Sequence, residues 1–195
     1  TRALAGVAAP VKMIETSFYG ELEPYANWLL ISVLSGLWDG FDRLNDYKAA
    51  VKFLKEMGIE YVNRPVDPDK GFHNSITLDL IVEESGNRLQ RTSVRGTVTE
   101  SRLMVARINE FDRLYFEPSG PMLFCIYDDR PGVIATVSRR LADLGINIED
   151  MRNPHDPKTN RSLLIFKLNR PVGAETVGAI GAEIAALSAI SVSLE

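Results

Sequence analysis

The chain has 195 residues, enough for one large domain or two small ones, and its 45% hydrophobic and 25% charged content is that of an ordinary soluble globular protein. A net charge of −4 gives no electrostatic ground for a nucleic-acid partner. No apolar run reaches the length of a membrane span and no signal-peptide pattern opens the chain, so a cytoplasmic protein without a membrane partner is expected.

The single cysteine, Cys125, sits in an apolar stretch and reads as a buried thiol in a reducing compartment. There is no CxxC, no HExxH and no clustered histidine, so no metal site is expected. The first residue is Thr rather than Met, which suggests a piece of a longer protein.

In chain order, residues 1–10 read as a tail. An α/β-mixed domain is expected over 11–117, making the whole chain α+β. Val11–Tyr19 reads as a strand, Pro24 to about Leu37 as a helix, and Tyr47–Met57 as a second helix ended by Gly58. Ile59–Asn63 is a short strand, and 67–74 is a loop rich in Asp, Pro and Gly. Ile76–Val82 alternates as a strand, Ser85-Gly86-Asn87 turns, and Leu89–Arg95 returns as its hairpin partner. Strand signal recurs at Met104–Ile108 and Leu114–Phe116.

After Pro118-Ser119-Gly120-Pro121, taken as the joint, residues 121–195 read as βαββαβ. The elements are a strand at 122–127, a helix from Pro131 to about Leu144, and a strand at Ile146–Met151. A polar turn at 153–160, a strand at Ser162–Leu168, a helix at Ala174–Leu187 and a strand at Ile190–Leu194 follow. This order gives an antiparallel sheet with two helices on one face, the ferredoxin-like arrangement. Gly178 and Gly181 weaken the second helix by about 1 kcal/mol each relative to Ala. Either close packing offsets that loss or the helix is flexible.

Asp129-Arg130-Pro131-Gly132 is the segment richest in chemistry. Pro suits the first position of a helix, and Gly132 lets a ligand approach the backbone. The helix N-terminus offers N–H groups and partial positive charge to a carboxylate. Asp129 and Asn147 add side-chain acceptors for an ammonium group. Together they describe an amino-acid seat; a well-capped connecting helix is the plainer alternative, and chemistry alone leaves both open.

Catalytic groups are not recognisable. Gly173, Gly178 and Gly181 fall in a helix, not between strand and helix, so they make no dinucleotide fingerprint. His73 and His155 sit in loops, and Cys125 has no base beside it. A basic set remains in the first domain. Arg91 and Arg95 share a strand face, and Lys70, His73, Arg102, Arg107 and Arg113 are candidates to join them around a phosphate or a phosphorylated acid. A solvated sheet face paired with nearby acids is the alternative.

The block 127–134, Tyr-Asp-Asp-Arg-Pro-Gly-Val-Ile, and the block 144–148, Leu-Gly-Ile-Asn-Ile, resemble the ACT regulatory domain of D-3-phosphoglycerate dehydrogenases. Tyr19-Gly20-Glu21-Leu22, Lys55-Glu56-Met57-Gly58-Ile59, Arg95-Gly96-Thr97 and Phe116-Glu117-Pro118-Ser119-Gly120 resemble, in order, the intervening (allosteric substrate- or anion-binding) domain of that enzyme's long form. The resemblance implies a non-catalytic C-terminal regulatory fragment. The parent would oxidise 3-phosphoglycerate with NAD held in a missing domain, at the start of serine synthesis.

It further implies homo-oligomers that pair ACT domains side by side and bind L-serine for feedback inhibition. Tyr127, Asp129, Pro131, Gly132 and Asn147 would hold serine, and Arg91, Arg95, Arg107 and Arg113 an anion. Pairing is expected through the edge of the first ACT helix and strand. The sequence departs from the family at Glu117, where a basic group is expected, and in the longer segment after the second ACT strand. A purely structural oligomerisation module and the equivalent module of an iron–sulfur L-serine dehydratase are the alternatives weighed.

Overall fold

The computed structural model describes residues 1–6, 8–84 and 88–194. The expected turn at Ser85-Gly86-Asn87 lies outside the described residues. The chain divides into two compact units, Thr1–Leu103 and Met104–Glu195.

In the first unit, α1 (Arg2–Ala5) takes the place of the expected tail. Its Ala5 is buried in the unit's core, and Arg2 lies over the Trp38 ring. β1 (Val11–Phe18) follows. The expected helix at Pro24 opens as a 3-10 turn, Gly20–Tyr25, before α2 (Ala26–Leu37). α3 (Tyr47–Glu56) is capped by Asp46, whose carboxylate accepts from the Ala49 N–H at 2.8 Å. Gly58, at φ +65°, ends it: its N–H reaches Lys55 O and that of Ile59 reaches Leu54 O, the paired bonds of a Schellman motif.

Strands β2 (Glu60–Asn63), β3 (Ser75–Glu84) and β4 (Arg88–Thr99) complete a sheet segment in the order β2-β1-β3-β4. Ile14, Leu80 and Val82 pack with Leu30 and Leu34 of α2 and Leu54 of α3 to form the core. Each such fully buried side chain contributes roughly 1.5–3 kcal/mol relative to exposure. Register puts Glu15, Asp79 and Ser93 side by side on the opposite, polar face.

The second unit begins within β5 (Arg102–Ile108), ahead of the Pro118–Pro121 joint read from sequence. The reason is packing. β5 and β6 (Phe111–Phe116) form a hairpin that stays outside the ladder of the C-terminal sheet but packs on it: the Phe116 ring tilts against Phe124 at 6.1 Å, and Arg152 Nε donates to Leu114 O at 3.1 Å.

The remaining elements are β7 (Gly120–Asp128), α4 (Val133–Asp143), β8 (Ile148–Arg152), β9 (His155–Asp156), β10 (Arg161–Leu168), α5 (Ala174–Glu183) and β11 (Ser188–Leu194). The sheet order is β11-β7-β10-β8, with β9 beside β10. This is the expected ferredoxin-like α+β fold. Leu123, Cys125 and Tyr127 face the helices with Leu164 and Phe166, against Val137 and Leu141 of α4 and Val177 and Ile180 of α5. Met122, Phe124, Leu163 and Ile165 on the other face are buried as well. Burial of both faces explains why β7 reads as an unbroken apolar run instead of an alternating one.

Several details differ from expectation. The turn after β8 holds β9, because Pro154 interrupts the ladder without ending it: its carbonyl still accepts from Leu163 N, and His155 and Asp156 pair again with Ser162 and Arg161. α5 stops at Glu183 instead of Leu187. Ala185 takes the left-handed φ of +47° there, and Ala186 N bonds Gly181 O. A Cβ on Gly181 would meet that of Ala189 at 3.1 Å, so close packing against β11 accounts for that glycine; Gly178 faces open space. β7 lies between β11 and β10, so the expected pairing edge is not on the first ACT strand; the sheet's edges are β11 and β8.

Cys125 is fully buried, and burial pushes its thiol up to about 12. A thiol with that value is about one ten-thousandth ionised at pH 8. Folded protein is therefore expected to leave a disulfide reagent unreacted at pH 8 and to react in denaturant. Rapid modification of the native protein would refute this placement.

Candidate functional site

The mouth of α4 collects the polar groups of the second unit. β7 delivers Tyr127 and Asp129, and β10 delivers Ser162 opposite Tyr127. The Tyr127 hydroxyl donates to Asn153 Oδ1 at 2.8 Å, and Ser162 Oγ donates to Asp129 Oδ1 at 2.7 Å. The Asp129 N–H donates to Asn160 O at 2.9 Å, tying the loop before α4 to the loop before β10. Burial raises the Tyr127 hydroxyl above its ordinary value, so it stays a neutral donor and acceptor at neutral pH. Asn153, Asn160 and Ser162 were not singled out from the sequence. A serine in an apolar strand and asparagines in a polar loop carry no signal until the fold brings them to Tyr127 and Asp129.

The helix begins two residues later than expected. Pro131 and Gly132 precede it, with Gly132 at φ +93° as its N-cap. No side chain caps the first turn, and the first intrahelical bond runs from Thr136 N to Gly132 O at 2.9 Å. The N–H groups of Val133, Ile134 and Ala135 thus open the helix beside exposed Gly132, at its positive end. The arginine of this loop serves elsewhere: Arg130 donates to the Ile184 carbonyl at the C-terminal end of α5.

Asn147 does not join this cluster within one chain. β7 and β8 both run antiparallel to β10, so they are parallel to each other. Asp129 follows the end of β7, whereas Asn147 precedes the start of β8. The 11-residue α4 lies between them along the sheet, a separation of about 16 Å. That is several times the length of an amino acid. Asn147 is exposed, and its backbone is held by Asn169, whose Oδ1 accepts from Asn147 N at 2.9 Å.

The arginines expected around an anion fall in both units. Arg91 Nη1 lies 2.6 Å from Glu15 Oε2 and 3.0 Å from Asp79 Oδ2, in a cluster completed by Arg64. Arg95 stacks 3.9 Å over the Phe72 ring. Arg107 and Arg113 belong to the β5–β6 hairpin of the other unit, where Arg107 Nη1 donates to Asn109 O at 2.7 Å. Among the described residues no group of three or more His, Cys, Asp or Glu is placed to hold a metal, and no helix is long and apolar enough to cross a membrane.

A family model for the ACT domain matches residues 122–152, which run from β7 through α4 to the end of β8. Three curated D-3-phosphoglycerate dehydrogenases are similar to the chain. That of Methanocaldococcus jannaschii is 25% identical over 128 residues, 62% of this chain and 24% of the relative. That of Bacillus subtilis is 27% identical over 116 residues, 60% of this chain and 21% of the relative. That of Synechocystis is 22% identical over 157 residues, 78% of this chain and 27% of the relative. The chain thus spans about a quarter of the length of the curated relatives it matches. Among solved structures, the C-terminal domain of the MgtC protein from Mycobacterium tuberculosis matches at 18% identity and a TM-score of 0.31, over 41% of this chain and 93% of that one. The chain carries an ACT domain and resembles the C-terminal regulatory region of the D-3-phosphoglycerate dehydrogenases.

Proposed function

We propose that this chain is the non-catalytic regulatory part of a cytoplasmic D-3-phosphoglycerate dehydrogenase, and that it binds L-serine between the ACT domains of two copies. In such an enzyme NAD and the reacting phosphoglycerate belong to domains other than these. The observation that carries the reading is the uncapped start of α4 beside the Tyr127–Asn153 and Ser162–Asp129 pairs.

The chemistry matches a zwitterion with a hydroxyl. The serine carboxylate accepts from the first-turn N–H groups at Gly132, and Pro131 keeps the approach short of one competing donor. Asp129, exposed and with Oδ1 already oriented by Ser162, receives the ammonium. The Tyr127–Asn153 pair lies within the same polar group, where it can take the hydroxyl. Asn147 supplies its amide from the second copy, because one copy holds it at the far end of α4. Binding across two copies couples occupancy to their relative placement, the minimum for allostery.

L-serine should raise the melting temperature of the 195-residue chain. At 100 times Kd, linkage supplies about 2.7 kcal/mol per site. Hydrogen bonds to a charged group are worth roughly 1.5–3 kcal/mol, so Asp129→Ala should weaken serine binding roughly tenfold to a hundredfold. The variant's unliganded melting curve should stay near the parent's, since Asp129 is exposed. Glycine, lacking the hydroxyl, should bind more weakly. A melting curve unmoved by tens of millimolar serine would leave a purely structural oligomerisation module.

A further inference from the structure

Strand β8 is an edge of the ACT sheet whose central outward hydrogen-bonding groups, those of Met151, are occupied by neighbouring side chains. Pro154 O accepts from Leu163 N, and antiparallel pairs alternate. Arg152 and Asp150 therefore turn their backbone groups inward to β10, and Met151 turns its N–H and C=O outward to the open edge. Both are taken. The Met151 N–H donates to Asp150 Oδ1 at 2.8 Å, and the Met151 carbonyl accepts from Arg152 Nη1 at 2.8 Å. The same Arg152 Nη1 lies 2.5 Å from the same Asp150 Oδ1, which locks the two side chains together over the edge.

The two neighbours of one residue thus imitate the backbone of a pairing strand. Sheets protect their edges in this manner with charged side chains.

We infer that the Asp150–Arg152 pair is a gate on self-association, closing the β8 edge against the β8 strand of a second copy. The inference rests on the proposed reading that two copies meet at this site. That reading selects β8 over β11, because antiparallel pairing of β8 with its copy, about a two-fold axis at Met151, carries Asn147 of the second copy to the end of β8 nearest the α4 mouth. To pair, Asp150 and Arg152 must swing off Met151 and exchange their bonds for those of the incoming strand. Both side chains are half exposed, so salt weakens their mutual hold. The expected signature is unusual for a charged surface: added salt promotes association.

The test is sedimentation of the 195-residue chain without serine, at low and high salt. Asp150→Ala removes the acceptor on Met151 N–H and frees Arg152; it should associate about tenfold more tightly than the parent. Asp150→Asn, which keeps an acceptor but loses the charge, should fall between. Association of the parent should tighten with salt, and that of Asp150→Ala should not. Arg152→Ala is the poorer probe, because Arg152 Nε also anchors the hairpin at Leu114 O.

Equal or weaker association of Asp150→Ala would overturn the gate. So would pairing through β11, which would leave Asp150→Ala without effect, and so would the absence of association in every variant at millimolar concentration. Because no serine is present, failure here stands apart from failure of serine to bind.

Discussion

A mixture of the Asp129→Ala and Asn147→Ala proteins should recover tight serine binding that neither protein shows alone. If each site takes Asp129 from one copy and Asn147 from the other, a mixed pair holds one site lacking both residues and one lacking neither. With statistical exchange, half of the pairs are mixed, so about a quarter of all sites regain the parent affinity. The remainder stay weaker by roughly tenfold or more, since each has lost at least one hydrogen bond to the ligand. Calorimetric titration after subunit exchange separates the two populations.

The structural reason is the length of α4, which sets Asn147 about 16 Å from the helix mouth in a single chain. Exchange demonstrated by a label, with no recovery of tight sites, would mean that these residues do not meet across an interface. Reciprocity adds a second readout: if serine binds paired copies better, it must tighten pairing by the same factor.

The ACT half was legible because its local signals agree with its tertiary structure. Gly145, at φ +64°, ends α4 with a Schellman motif, Ile146 N bonding Leu141 O, and Gly58 does the same for α3. α5 was overextended because Ala185 fills the left-handed position that glycine would have marked. The compact unit to which the hairpin belongs was not legible, because Phe116 on Phe124 and Arg152 on Leu114 are side-chain contacts that no local pattern announces. At the site, Asp129, Pro131, Gly132 and Tyr127 are contiguous enough to be read as a unit. Asn147 is grouped with them as an acceptor for an ammonium group and by the resemblance, although the helix expected from Pro131 to about Leu144 already lies between them; its length in the fold, and not its existence, is what separates the two. The spacing of Arg91 and Arg95 predicted a shared face, which the register bears out, but the acids on that face come from β1 and β3, distant in sequence.

Those acids give Arg91→Ala a large expected effect on stability. Glu15 Oε2 and Asp79 Oδ2 each receive both Arg64 and Arg91. The two carboxylate side chains are only 11% and 7% exposed, and among the described residues Asp79 Oδ1 has no hydrogen-bond partner. Removing Arg91 leaves two buried carboxylates sharing one guanidinium. Breaking a fully buried pair costs roughly 3–5 kcal/mol; with Arg64 and Arg91 partly exposed, about 2–3 kcal/mol is expected here. Arg95→Ala loses its stacking on Phe72, a contact worth roughly 0.5–2 kcal/mol at a half-buried site.

The cause is separable from general damage. In a Glu15→Gln background Arg91→Ala should cost at least about 1 kcal/mol less, because the carboxylate it leaves uncompensated is gone. Urea unfolding of the four proteins of that cycle gives the coupling directly. Additive losses, together with inorganic phosphate protecting the parent but not an Arg91→Ala, Arg95→Ala double variant of unchanged stability, would turn this cluster from a structural ion network into an anion seat.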